Sequence, residues 1–150
     1  MNVRIEQTSC PTEEEVSAIL TPLRAYNVAQ AGASGAEKFA LLVRDEQSNE
    51  VLGGLNGRIF YRWMFIELLV VPEQARGQKL GSRLMAMAED LARDKDCVGI
   101  WLDTFDFQAP DFYRSLGYSE FGQLNDYPPG HRRYFFQKRL DQLDAVDLPV

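Results

Sequence analysis

The segment that most constrains the fold runs from Leu68 to Met85 and reads LLVVPEQARGQKLGSRLM. A continuous apolar run, as in a buried strand, passes through a short polar turn directly into residues with helical spacing. Leu80, Leu84, Met87, Ala88 and Leu91 form the expected buried stripe of a helix over residues 78–94. Arg76 and Gly77 occupy the turn, and Gly81 and Ser82 fall in the helix's first turn. Such a helix start presents unpaired backbone N–H groups and a partial positive charge, which together suit a phosphate. Gly77 permits close backbone approach, and Arg76 adds a charge. An ordinary strand–turn–helix connection would show the same residue types, so the motif alone leaves both readings open.

The remaining elements place this segment within a sheet. Residues 2–6 predict a short first strand. Thr12 and Glu15 have capping-box spacing, and Glu13, Glu14 and Glu15 suit the positive end of a helix dipole. Val16, Ile19, Leu20 and Leu23 recur at helical spacing, with Pro22 among them. Thr21–Pro22 resembles a second N-cap followed by proline, which predicts two consecutive short helices ending near Gly32. Strands are expected over 39–44, 51–61 and 63–71, joined as hairpins, with Gly53 and Gly54 marking a bulge or a close backbone approach. A strand over 98–104, a short helix over 110–116 stopped by Gly117, and strands over 118–123 and 133–138 complete the pattern. The fold class is α/β (α+β): a mixed, mostly antiparallel sheet of six to seven strands flanked by helices, distinct from a doubly wound sheet. One domain over 1–140 and an acidic tail over 141–150 are expected.

Composition narrows the function. The formal net charge of −6 argues against nucleic acid as a partner and is compatible with a cationic substrate. No apolar run approaches the ~20 residues of a membrane span, and the N-terminal residues lack signal-peptide character, so a cytoplasmic location is expected. Cys10 and Cys97 have neither metal-site nor redox spacing, and His131 is the single histidine, so no metal site is expected.

Arg76-Gly77-Gln78-Lys79-Leu80-Gly81 resembles the pyrophosphate-binding loop of the GNAT N-acetyltransferases, Gln/Arg-x-x-Gly-x-Gly/Ala, in the family's position after the fourth strand and opening the third helix. Lys79 stands where the family has its middle glycine. Lysine tolerates helical dihedrals, and its ammonium is placed to meet a phosphate. Asp106-Phe-Gln-Ala109-Pro-Asp-Phe112-Tyr113-Arg-Ser-Leu-Gly117-Tyr118 resembles the family's Asn-x-x-Ala-x-x-Phe-Tyr-x-x-x-Gly-Phe segment, with Asp106 in place of asparagine. The element order extends the resemblance over residues 2 to 140.

The resemblance implies acetyl-CoA as cosubstrate, bound by Leu69, Val70, Val71, Arg76, Gly77, Gln78, Lys79, Leu80, Gly81, Ser82 and Asp106. Leu69 and Val71 would act through their main chain, on a strand that splays from its neighbour. It implies that Tyr113 protonates the leaving thiolate; pattern alone would make Tyr113 a core residue. Glu67, two residues before Leu69 and expected on its face of the strand, is the candidate base for the amine, against an ordinary strand carboxylate paired with a cation. Tyr61, Trp63, Asp103, Tyr127 and His131 are candidate acceptor-binding residues. The expected reaction is direct acetyl transfer to a primary amine of a small molecule, polyamine-like, amino-sugar or antibiotic. The alternatives are acetylation of a protein N-terminus or lysine, and a non-catalytic acyl-CoA-binding domain. Many relatives are dimers, so a homodimer is an allowed assembly.

Overall fold

A computed structural model describes residues 1–141. The expected tail at 141–150 therefore lies, but for its first residue, outside the described residues. The chain divides into two compact units, Met1–Ser34 and Gly35–Val150.

The first unit holds one helix, α1 (Glu13–Ala31). Thr12 Oγ1 accepts from Glu15 N–H at 3.1 Å and Glu15 Oε2 accepts from Thr12 N–H at 2.9 Å, so the capping box closes as its spacing requires. The two expected helices are one. Pro22 lies inside α1, where it removes a single backbone bond, and the helix formers on both sides carry the spiral past it. Gly32, at φ 82°, ends the helix by donating its N–H to Val28 O at 2.9 Å. Residues 2–6 are not a strand: their unit has no second strand to receive their backbone hydrogen bonds.

The second unit carries the sheet. Its elements are β1 (Glu37–Arg44), β2 (Val51–Phe60), β3 (Trp63–Val70), a single 3₁₀ turn at Glu73–Ala75, α2 (Leu80–Asp94), β4 (Gly99–Phe105), α3 (Pro110–Ser115), β5 (Ser119–Asn125) and β6 (Arg132–Arg139). The strand order is β1-β2-β3-β4-β6-β5. Only β3 and β4 run parallel, because the chain crosses between them through α2; the other pairs are antiparallel. The glycine pair in β2 does mark close approach. A Cβ at Gly53 would stand 2.6 Å from Val70 O, and one at Gly54 would run into Leu41 O.

The core lies on one face of this sheet. Leu55 and Ile59 of β2, Met64 and Ile66 of β3, Ile100 and Leu102 of β4 and Phe136 of β6 meet Leu84, Met85, Ala88 and Ala92 of α2. This differs from the expected stripe: Met85 and Ala92 are buried, Met87 is exposed, and Leu80 and Leu91 are half-buried. Ala88 and Ala92, one turn apart, let the helix axis approach the sheet closely, which rotates Met87 outward. Helix α2 also begins two residues later than expected. Lys79, its N-cap, has φ 56° and ψ 31°, a left-handed conformation, not the right-handed one anticipated for lysine. This is the conformation that a glycine adopts without cost, which gives the family's glycine at this position a backbone reason.

Two substitutions test these local constraints. Lys79→Gly relieves the left-handed penalty but loosens the unfolded chain, for a net gain of up to about 1 kcal/mol in urea unfolding. A lower urea midpoint with unchanged slope would contradict it. Gly57 faces the carbonyl oxygen of Phe65 so closely that a Cβ would strike it. Gly57→Ala is expected to cost about 1–3 kcal/mol by the same measurement.

Candidate active site

Strand β3 contains one residue more than its partner. Asn56 pairs with Leu68 and Gly57 with Ile66, which leaves Glu67 without an opposite on β2. Such a bulge bends the strand and increases its twist. The consequence appears on the other edge of β3. Its parallel ladder to β4 runs from Trp63–Gly99 to Ile66–Leu102 and ends there. Beyond that point β3 stays paired to β2 as far as Val70, and β4 to β6 as far as Phe105. The two strands part at Glu67 and Asp103 and enclose a cleft of about 740 Å³.

The bulge also corrects an expectation. Leu69 and Val71 pack against the core, on the face of the buried Ile66, whereas Glu67 is exposed. Strict alternation would have put Glu67 on the face of Leu69 and Val71; the extra residue reverses the parity. Glu67 still lines the cleft, and it lines a second cavity of about 580 Å³ bordered by Asn56, Lys38 and Arg58.

Both walls of the cleft offer groups suited to an extended acyl carrier. Beyond Ile66, the backbone groups of β3 that face away from β2 have no strand opposite among the described residues and can pair with an added chain. Past Val71, which lines the cleft, the chain turns through Arg76 and Gly77, at φ 85°, to the start of α2. The first helical backbone bond is Arg83 N–H to Lys79 O, so the N–H groups of Leu80, Gly81 and Ser82 precede it, and no side chain caps them. Arg76 and Gly81 line the cleft. A Cβ on Gly81 would lie 3.2 Å from the Phe112 ring, so glycine seats this turn against α3. Gln78 and Leu80 instead line a separate depression beneath β1, and Lys79 is exposed.

Tyr113 stands in the opposite wall. It is 7 % exposed, and its ring packs among Phe112, Tyr118 and Phe136. Its hydroxyl has no hydrogen-bond partner among the described residues. Burial, assisted by the negative charge of Asp103, pushes its pKa up to about 12. The phenol therefore keeps its proton at neutral pH.

The open end of β4 gathers several predicted residues. Asp103 Oδ1 accepts from Arg133 Nε at 3.0 Å and Nη2 at 2.6 Å, and the guanidinium lies 4.7 Å from the centre of the Tyr127 ring. Asp106 Oδ1 is 3.0 Å from His131 Nδ1, while Oδ2 accepts from Arg132 N–H at 3.0 Å. The Asp106 carboxylate thus ties the β4–α3 turn to the β5–β6 loop. Tyr61 and Trp63 are not brought to this end. Tyr61 is in the β2–β3 turn, and Trp63 pairs with Gly99 at the start of β4, the closed end of the ladder. Sequence reasoning did not single out Arg133 or Asn56. The partner of Arg133 is 30 residues away, and only the β4–β6 pairing reveals it. Asn56 could be found only through the bulge.

Comparison with known proteins agrees with this geometry. The profile of the acetyltransferase (GNAT) family matches residues 4–118. Blasticidin-S acetyltransferase of Streptomyces morookaense is 40 % identical over 128 residues, 85 % of this chain and 92 % of its own. An acetyltransferase of Agrobacterium fabrum is 36 % identical over 127 residues, with the same two coverages. A crystal structure of an acetyltransferase from Agrobacterium tumefaciens matches with a TM-score of 0.81 at 34 % identity, over 93 % of this chain and 99 % of that one. Fold, cleft and relatives together make this chain a member of the GNAT family, and it is an acetyltransferase.

Proposed function

We propose that this chain moves the acetyl group of acetyl-CoA directly onto a primary amine of a small molecule, and that an antibiotic amine of the blasticidin S kind is the first acceptor to test. The observation that carries this reading is the parting of β3 and β4, which places Tyr113 in one wall and Glu67 at the bulge in the other. Acetyl-CoA supplies the thioester. The free edge of β3 and its continuation, through the main chain of Leu69 and Val71, holds the pantetheine arm by hydrogen bonds, and the α2 N-terminus with Arg76 holds the pyrophosphate. In this reading Val70, Gly77 and Ser82 shape the same surface, and Gln78, Lys79 and Leu80 act through backbone. Asp106, whose two oxygens already serve His131 and Arg132, shapes the loop wall.

The step balances with these residues alone. The neutral amine attacks the thioester carbonyl carbon, a C–N bond forms and the C–S bond breaks. Tyr113 gives its proton to the departing sulfur. Glu67, directly or through a water molecule, takes the proton that frees the ammonium's lone pair, and the second N–H proton, lost after attack, replaces the one that Tyr113 gives to sulfur. An alkylammonium with a pKa of about 10.4 is mostly charged at neutral pH, which is why a base is needed. Asp103, Tyr127 and His131 border the acceptor's approach in this reading. The relatedness to blasticidin-S acetyltransferase supports an antibiotic amine over a protein terminus.

Two measurements test the reading. Acetyl-CoA at about a hundredfold excess over its dissociation constant is expected to add roughly 2.7 kcal/mol to folding stability. A melting curve unmoved by millimolar acetyl-CoA would remove the cosubstrate assignment. Tyr113→Phe keeps the ring and deletes the acid, so kcat measured by thiol release is expected to fall about 10²–10⁴-fold while acetyl-CoA affinity holds. Because burial raises its pKa, Tyr113 stays protonated, and wild-type kcat keeps this acid as pH rises through 10, losing it only near 12. A kcat within about threefold of wild type in Tyr113→Phe would hand the proton to another donor.

A further inference from the structure

One buried polar atom in the sheet has no use within the fold. Asn56 Oδ1 keeps almost no solvent-accessible surface and has no hydrogen-bond donor among the described residues. A carbonyl oxygen left so has given up its water without gaining a donor, and folded proteins rarely keep one without a reason. Its position suggests the reason. Asn56 pairs with Leu68 immediately before the register slips, so it borders the bulge that displays Glu67. Its neighbours Leu55 and Gly57 are buried toward the core, which turns the Asn56 side chain to the opposite face of the sheet. There Asn56 and Glu67 line the same cavity of about 580 Å³. Glu67 lines the cleft as well, so this carboxylate belongs to both spaces.

We propose that Asn56 binds the acceptor: its side-chain oxygen takes a hydrogen bond from the acceptor's amino group and holds the nitrogen beside Glu67 at the bulge. The assignment rests on the reading of Glu67 as the base. An alkylammonium nitrogen has three protons and no lone pair. Donating one N–H to Asn56 and one to Glu67 fixes the nitrogen at two points, and when Glu67 takes its proton the lone pair is freed for the thioester. The orphan oxygen acquires its donor only when the acceptor is present. Asn56 is thus a binding residue that the apo fold tolerates at a cost, as sites that discriminate by hydrogen bonding do.

The test is Asn56→Leu, close in volume and without polar atoms, with Asn56→Ala as a second variant should leucine not fold. The acceptor is whichever of blasticidin S, spermidine and kanamycin the wild type acetylates best. The expected result is a roughly tenfold rise in the KM for the amine, with the acetyl-CoA dissociation constant unchanged. The melting temperature is expected to stay level or rise in Asn56→Leu, because an unpaired polar group has been removed from the sheet. A structural role for Asn56 predicts the reverse: lower melting temperature and unchanged amine KM in both variants, and that result overturns the proposal. Failure of the underlying reading looks different. There the wild type itself releases no thiol with any amine, or Glu67→Gln turns over at the wild-type rate.

Discussion

The site depends on a single surplus residue. Glu67 has no counterpart on β2, and the strand accommodates it by bending. Four pairs of β3 and β4 run parallel in register before the bend, and none follows it. The cleft is therefore not carved by loops. It is the space left when two strands, each still paired on its outer side, can no longer reach each other. Gly57 is part of the same arrangement, since only a residue without a side chain leaves room for the Phe65 carbonyl at the crossing.

From this divergence the rest of the site follows in order. Separation frees one edge of β3 for an added extended chain and leads the strand into the α2 turn. The helix then starts with unsatisfied N–H groups at the end of the cleft. The turn is tight enough to hold Lys79 left-handed, and Gly81 lets it rest on Phe112. Opposite, α3 buries Tyr113 in an apolar surround that keeps the phenol protonated. The sheet core beneath α2 holds these parts at fixed separation.

Much of this was legible in the sequence because it is local. Alternating and β-branched runs gave all six strands of the second unit to within about two residues, the accuracy such boundaries allow. Thr12 and Glu15 predicted their own cap, and the loop and tyrosine segments were recognisable as motifs. What escaped is non-local or depends on parity. A bulge leaves no mark in the composition of ELLVV, so Glu67 was assigned to the wrong face. Pro22 looked like a break because its local cost is plain, whereas the strength of the flanking helix is a sum over many residues. The strand expected at 2–6 had the right composition but no partner in its unit. Trp63 suggested a ligand surface by its type; pairing with Gly99 puts it at the far end of the sheet.

The bond between Arg133 and Asp103 has a consequence for how the cleft tolerates charge. Asp103 sits in the wall near Tyr113, close enough to raise its pKa, and a bare carboxylate there would repel any negative charge that forms on a leaving group. The guanidinium, held on one carboxylate oxygen and packed over the Tyr127 ring, makes the pair nearly neutral as a unit. Both side chains are mostly withdrawn from water, at 24 % and 17 % exposure, so dissolved ions reach them poorly. The wall brings its counterion with it: the field at this spot is set by covalently attached groups, and the salt of the surrounding medium has little purchase on it.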